Sequence, residues 1–177
     1  MKEKMKEKND ILFGFHSVYE ALKADKRKFY SILISKNRSL GRMENIETIA
    51  RQRNIKIEMV DPEFLDKMTD FSNHQGLAAN TSFFPIKKAA EVVRLVQEKK
   101  EPCFILILEN IEDPHNLGAL IRTALCAGVD YILIPKDRSA VPSSTVSRSS
   151  AGAMEHADIF YRSEERRVGK ECRIGCR

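Results

Sequence analysis

Tryptophan is absent from this 177-residue chain, and glycine (8) and proline (6) are both scarce. That scarcity excludes collagen-like and low-complexity architectures and points to an ordinary globular composition. Long apolar runs are missing as well. The longest, Phe104-Ile105-Leu106-Ile107-Leu108, has the length of a strand and falls far short of the roughly 20 residues that a membrane-spanning helix needs. Residues 1–9 are dense in charge with no apolar segment behind them, so no secretory signal and no membrane partner are expected, and a cytoplasmic protein is the default. Cysteine is limited to four positions. Cys103 and Cys126 sit among apolar residues and are expected as small buried side chains. Cys172 and Cys176 form a lone Cys-x3-Cys with no histidine nearby, half of a zinc site, so no metal is expected.

What is present is charge and alternation. The chain is 31% charged and 42% hydrophobic, with a formal charge of +5 that permits a polyanionic partner without requiring one. After the charged arm of residues 1–9, helical and strand patterns alternate. His16 to Ala24 reads as a short helix and Phe29 to Ser35 as a strand. Met43, Ile46, Ile49 and Ala50 share helical spacing, and a strand follows around Ile55 to Val60. Asp61-Pro62-Glu63 carries the marks of a helix start, with Asp61 as the capping residue and Pro62 at the first helical position. Leu77 to Ser82 reads as a strand that closes a small α/β domain over residues 10–82.

Residues 83–101 read as a linker or bridging helix with Val92, Val93, Leu95 and Val96. A second unit over residues 102–161 opens on the apolar strand Cys103 to Leu108, whose lack of alternation places it in the middle of a mostly parallel sheet. Leu117, Leu120, Ile121, Ala124 and Leu125 give the apolar face of the next helix, Gly128 ends it, and Tyr131 to Pro135 is the following strand. This β-α-β order opens an α/β domain.

The segment richest in chemistry runs from Asn110 to Ala124, where that strand hands over to that helix. Open α/β sheets bind ligands at this edge. Asp113-Pro114 forces a turn, Asn116 can cap the helix, and Gly118 allows close backbone approach. Arg122 lies nearly two turns beyond Asn116, roughly 9 Å along the axis, within reach of the mouth through its long side chain. On periodicity alone Asn116 is a cap and Arg122 a solvated residue. That reading leaves the crowding of polar and turn residues at one junction unexplained.

The same string, Asn110-x-x-Asp113-Pro114-x-Asn116-x-Gly118-Ala119-x-x-Arg122-Thr123-Ala124, resembles the first signature of the SpoU (TrmH) family of RNA ribose 2′-O-methyltransferases at every fixed position. Asp137-Arg138-Ser139-Ala140, leading into Ser150-Ala151-Gly152-Ala153-Met154-Glu155, is similar to the family's S-A-G-A-x-E stretch. Phe13-Gly14-Phe15-His16-Ser17-Val18-Tyr19-Glu20-Ala21-Leu22 and His74-Gln75-Gly76-Leu77 resemble the two ends of the family's substrate-binding domain. The resemblance covers roughly residues 10–160. It implies an α/β fold class, in which a small L30e-like α/β N-terminal domain precedes an incomplete SPOUT-type (trefoil-knot) parallel-sheet domain.

It also implies methyl transfer from S-adenosyl-L-methionine to a ribose 2′-hydroxyl, a hydroxyl that distinguishes RNA from DNA. Ribosomal RNA is the expected partner, transfer RNA the alternative, and a homodimer the family's assembly. By motif position Asn116 would orient the ribose, Arg122 would be the key catalytic residue, and Glu155 a further candidate. A guanidinium is poorly suited to accept a proton near pH 7, which favours Arg122 as a phosphate clamp and alkoxide stabiliser over a general base. Lys26, Arg27, Lys28, Lys36, Arg38, Arg42, Arg51 and Arg53 form a basic scatter. Of these, Arg27, Lys28, Lys36 and Arg38 are the candidate RNA contacts, with a solvated face balanced by Asp25, Glu44 and Glu47 as the competing reading. His16 and His74 are expected in structural hydrogen bonds, and His115 and His156 carry no catalytic expectation.

Beyond about Tyr161 the resemblance lapses. Residues 162–177 lack the family's second and third motifs, so cofactor-binding residues are left unassigned. The composition of this tail reads as an artefact of sequencing, assembly or vector, which makes little or no turnover the expectation for the chain as written. Two other classes compete with the enzyme reading. A non-catalytic RNA-binding protein would bind RNA in a salt-sensitive way with no response to S-adenosyl-L-methionine. A nucleotide-dependent oxidoreductase finds no Gly-x-Gly-x-x-Gly after the Cys103 to Leu108 strand.

Overall fold

The computed structural model describes residues 9–37, 41, 43–99 and 101–162. Two four-stranded sheets organise it. The first holds β1 (Asp10–Phe13), β2 (Phe29–Ser35), β3 (Lys56–Val60) and β4 (Leu77–Thr81) in the order β1-β4-β2-β3, parallel only between β2 and β3. Strand β2 is apolar without alternation because both of its faces are covered. Ile32 and Ile34 pack under α1 (Phe15–Ala24) and α2 (Glu44–Gln52), against Val18, Leu22, Ile46 and Ala50. Leu33 points the other way, to Leu65 of α3 (Pro62–Met68).

Pro62 opens α3 as expected, but Asp61 makes no side-chain cap bond; its carboxylate pairs with Lys36 at 3.0 Å. Strand β1 had no counterpart in the sequence pattern, being four residues long and joined at Gly14 directly to α1.

The second sheet is parallel throughout. It runs β5-β8-β7-β6, built from β5 (Lys87–Lys88), β6 (Ile105–Ile107), β7 (Tyr131–Pro135) and β8 (Ile159–Arg162). Between them come α4 (Ala89–Glu98), α5 (Pro114–Cys126) and α6 (Ser144–Ser149). Leu117, Ile121 and Ala124 of α5, Val146 of α6 and Met154 close over Ile132, Ile134 and Ile159.

Three features depart from the sequence expectations. Strand β6 lies at the edge of the described sheet, with Phe104 and Ile107 more than half exposed, because only β7 pairs with it. Its apolar run reports composition and says nothing of how many neighbours it has. Cys126 is exposed and Cys103 half-buried. Arg162, placed at the head of the tail by the sequence pattern, instead ends β8 and pairs with Glu109 at 2.5 Å. The rest of the tail, Cys172 and Cys176 included, and the charged arm before residue 9 lie outside the described residues.

Gly118 marks where α5 and α6 touch. A methyl group there would sit 1.9 Å from Ser149 Oγ, 2.9 Å from its Cβ and 3.0 Å from the Ser150 backbone nitrogen. The glycine therefore serves helix-to-helix packing. Gly118→Ala should destabilise the chain by about 1–3 kcal/mol in urea unfolding, with part of the loss recovered by Ser149→Gly.

Another tie fixes the segment between α4 and β6. The Asp130 carboxylate accepts from Lys99 Nζ at 2.6 Å and from the Phe104 amide at 2.9 Å. The Lys99 ammonium, and then the Phe104 N–H, hold this carboxyl below its ordinary range. A carboxyl lowered in the folded state adds stability above the unfolded carboxylate range and loses it as pH falls through the lowered folded value. The stability gap between wild type and Asp130→Asn should therefore be constant near neutrality and narrow below about pH 4 in acid-dependent urea titrations.

Candidate functional site

Helix α5 starts on a Pro114 at its first position and a cap at Asp113, whose carboxylate accepts from the His115 amide at 2.9 Å. The cap is thus Asp113 and not Asn116. Freed from capping, Asn116 stands exposed one turn into the helix, and Arg122 is exposed farther along. Neither makes a hydrogen bond or ion pair with another described residue. Six residues of α-helix separate them by roughly 9 Å along the axis and a third of a turn around it, so the helix displays both without bringing them together. Ser139 Oγ and the Ala140 amide both bond to the Ile111 carbonyl, at 3.3 and 2.7 Å, which secures the loop leading into α5 from behind.

Glu155 sits elsewhere. Its side chain has no exposed area and receives Arg27 in a two-pronged contact, Nε at 2.8 Å and Nη2 at 3.0 Å. Arg27, also with no exposed side-chain area, reaches Asp10 from Nη1 at 2.7 Å and the Ser82 carbonyl at 3.2 Å. This overturns Arg27 as an RNA-docking residue: a guanidinium enclosed by two carboxylates cannot meet a phosphate. It equally removes Glu155 from contact with substrate. The pair joins the two sheets' units, since Arg27 follows α1 and Glu155 lies in a short 3-10 turn, Ala153–His156, after α6.

The rest of the S-A-G-A-x-E stretch presses on the same junction. Gly152 has φ +83°, and a methyl group on it would lie 2.7 Å from both the His16 carbonyl and the Glu20 Cβ. Only glycine meets both demands. Lys26 Nζ donates to the carbonyls of His156 and Ala157, each at 2.9 Å, and pairs with Asp158; His156 reaches Glu20 at 2.8 Å. Sequence reasoning missed this interlock. Its one visible signal was a carboxylate, Glu155, set among Met154, Ala153 and Ala157.

The remaining basic candidates are mixed. Lys28 is exposed and lies over the Tyr30 ring at 5.1 Å. Lys36, Arg51 and Arg53 are partnered with Asp61, Glu47 and Asp25. Arg38 and Arg42 lie outside the described residues. His74 fills the structural role expected of it: the Gly76 amide donates to Nδ1 at 2.9 Å, which leaves Nε2 to donate to Asp66 at 3.0 Å. His16 is exposed, its ring set edge-on to Phe15.

With the geometry in place, comparison with known proteins gives it a context. Residues 11–86 match the family of RNA 2′-O ribose methyltransferase substrate-binding domains, and residues 103–175 match the SpoU rRNA methylase family. The chain belongs to the SpoU family. The SpoU match runs past Tyr161 to residue 175 and so includes most of the tail. The chain is 35% identical over 155 residues to the TrmH-family protein YacO of Bacillus subtilis, covering 88% of this chain and 61% of that one. It is 31% identical over 152 residues to the 23S rRNA (guanosine-2′-O-)-methyltransferase RlmB of Escherichia coli, covering 86% and 62%. It therefore spans about three-fifths of the length of these relatives. The SpoU fold is shared with the AdoMet-bound rRNA methyltransferase of Sinorhizobium meliloti, with a TM-score of 0.67 at 19% identity over 89% of this chain and 55% of that one. Among the described residues no helix is long and apolar enough to cross a membrane.

Removing Arg27 strands the buried Glu155 carboxylate and takes the partner from a half-buried Asp10. Arg27→Met should cost about 3–5 kcal/mol, and Arg27→Met with Glu155→Gln less than the sum of the two single changes, in a double-mutant cycle read by urea unfolding.

Proposed function

We propose that this SpoU chain serves S-adenosyl-L-methionine-dependent methylation of a ribose 2′-hydroxyl in RNA, with large-subunit ribosomal RNA as the substrate, in the cytoplasm. The observation that carries the reading is α5. Asn116, in the first turn after the strand-to-helix junction of a parallel sheet, and Arg122, farther along the same helix, stand exposed with side chains unpartnered among the described residues. A cation and a carboxamide kept free at that edge are groups kept for a ligand. The relative RlmB of Escherichia coli acts on a guanosine 2′-position of 23S rRNA by its name, which supports the choice of RNA.

In this reading the Asn116 carboxamide holds the ribose by hydrogen bonds, and Arg122 grips the adjacent phosphate in a two-pronged contact. The guanidinium then stabilises negative charge that grows on the 2′-oxygen as its proton leaves. Its charge is permanent, so its contribution is electrostatic, and the proton passes to water or another base. S-adenosyl-L-methionine supplies the methyl group when bound. The described residues do not build its seat. At the strand ends Glu109 is already held by Arg162, and Ile107 stands open. The trefoil knot and homodimer of the family belong to the same proposal.

Transfer of labelled methyl from S-adenosyl-L-methionine to ribosomal RNA tests the reading, in this chain and in one extended through the rest of the family's methylase region. In the extended chain Arg122→Ala should lower transfer by about 10²-fold or more. Transfer left intact by Arg122→Ala and Asn116→Ala would sink the assignment. RNA binding with no transfer in either chain would favour a docking protein without catalysis.

A further inference from the structure

We propose that a cleft between the two units, at the first turn of α1, binds a backbone phosphate of the RNA. The inference rests on the RNA reading above and adds a contact that the signature residues do not provide. The cleft has a volume of about 70 Å³ and is lined by Gly14, His16 and Ser17 on one side and Arg148 and Ala151 on the other, with Gln75 beside them.

Three independent features make it a site for an anion. Helix α1 is ten residues long and its cap, Gly14, has no side chain to satisfy the first amides. Of these, the Phe15 amide donates to Gln75 Oε1 at 3.2 Å, while those of His16 and Ser17 have no acceptor among the described residues. Uncapped amides at a helix start favour negative charge. Second, Ser17 is 1% exposed, yet its hydroxyl makes no hydrogen bond with any described residue. The Ser17 oxygen is not among the fully enclosed unpartnered atoms, so it keeps a small opening, and the cleft that Ser17 lines is where a partner can enter. Third, Arg148 is exposed, lies 5.6 Å over the Phe13 ring, and has no carboxylate partner among the described residues. The nearest carboxylate on α1, Glu20 in its second turn, is occupied by His156 and Lys23.

Two amides, a hydroxyl able to donate and an uncompensated guanidinium, in a lining that holds no carboxylate, fit a phosphate. Its place in the molecule selects a phosphate that belongs to a strand. Arg148 precedes Ser149, whose hydroxyl bonds to the Pro114 carbonyl at 3.2 Å, at the start of the helix that carries Asn116 and Arg122. A backbone entering the cleft is thereby directed along α6 towards α5.

Amide NMR of the chain, titrated with inorganic phosphate and then with a single-stranded oligoribonucleotide, tests this. The His16 and Ser17 amides should shift with both, and the RNA should displace the phosphate. Arg148→Gln, at an exposed position, should weaken RNA binding about fivefold and lower the salt slope by about one. Ser17→Ala, nearly equal in volume, should weaken it in the same direction. RNA affinity and salt slope unchanged in both variants would overturn the site and leave the methyltransferase reading standing. Phosphate binding that RNA does not compete for would make this a free-anion site and overturn its assignment to RNA. RNA binding sensitive to Arg148→Gln in a chain that never transfers methyl would uphold the site while the catalytic reading failed.

Discussion

The geometry of this protein depends on one buried guanidinium. Arg27 sits between Asp10 of the first sheet and Glu155 of the second unit, with no side-chain area left to water. A charge in that position is tolerable only while its partners stay in place, because neither Arg27 nor Glu155 can be rehydrated without opening the junction. The planar fork of arginine suits this position. Two of its nitrogens take Glu155 and a third takes Asp10, an arrangement that a lysine could not reproduce. Apolar contact alone would let the two units slide; the ion pair, with Gly152 seated against His16 and Glu20, sets a single register.

What that register organises is a continuous surface. Helix α6 touches α5 through Ser149 and Gly118 and faces the start of α1 through Arg148. The exposed Asn116 and Arg122 and the interlobe cleft are thus linked through α6, with the S-A-G-A-x-E stretch as the fastening. Residues that look catalytic by their place in a motif can be mechanical, and Glu155 is such a residue. Its acidity matters to Arg27 and reaches the substrate only through the position it enforces.

The sequence was legible where local pattern and tertiary role agree. Strands β2 and β7 fall where their apolar runs lie, and α5 was evident from its leucine and isoleucine face. It was misleading where the deciding partner is distant in sequence. Arg27 lies beside Lys26 and Lys28 and looks like part of a basic surface; its burial depends on Glu155, 128 positions away. Asn116 is a good cap in isolation, but Asp113 stands in the capping position and the carboxamide remains free. The apolar run of β6 could not reveal that only one neighbour pairs with it. Short elements such as β1, β5 and β8 exist through pairing and leave little periodic trace.

In the proposed function both units present one RNA-facing surface held by Arg27. Hydrogen exchange of the chain, with and without a ribosomal RNA fragment, addresses it most directly. The account predicts a single footprint that protects the first turn of α1 and the first turns of α5 together, and that splits or disappears in Arg27→Met. Protection confined to one unit, or a joint footprint that survives Arg27→Met unchanged, would contradict it.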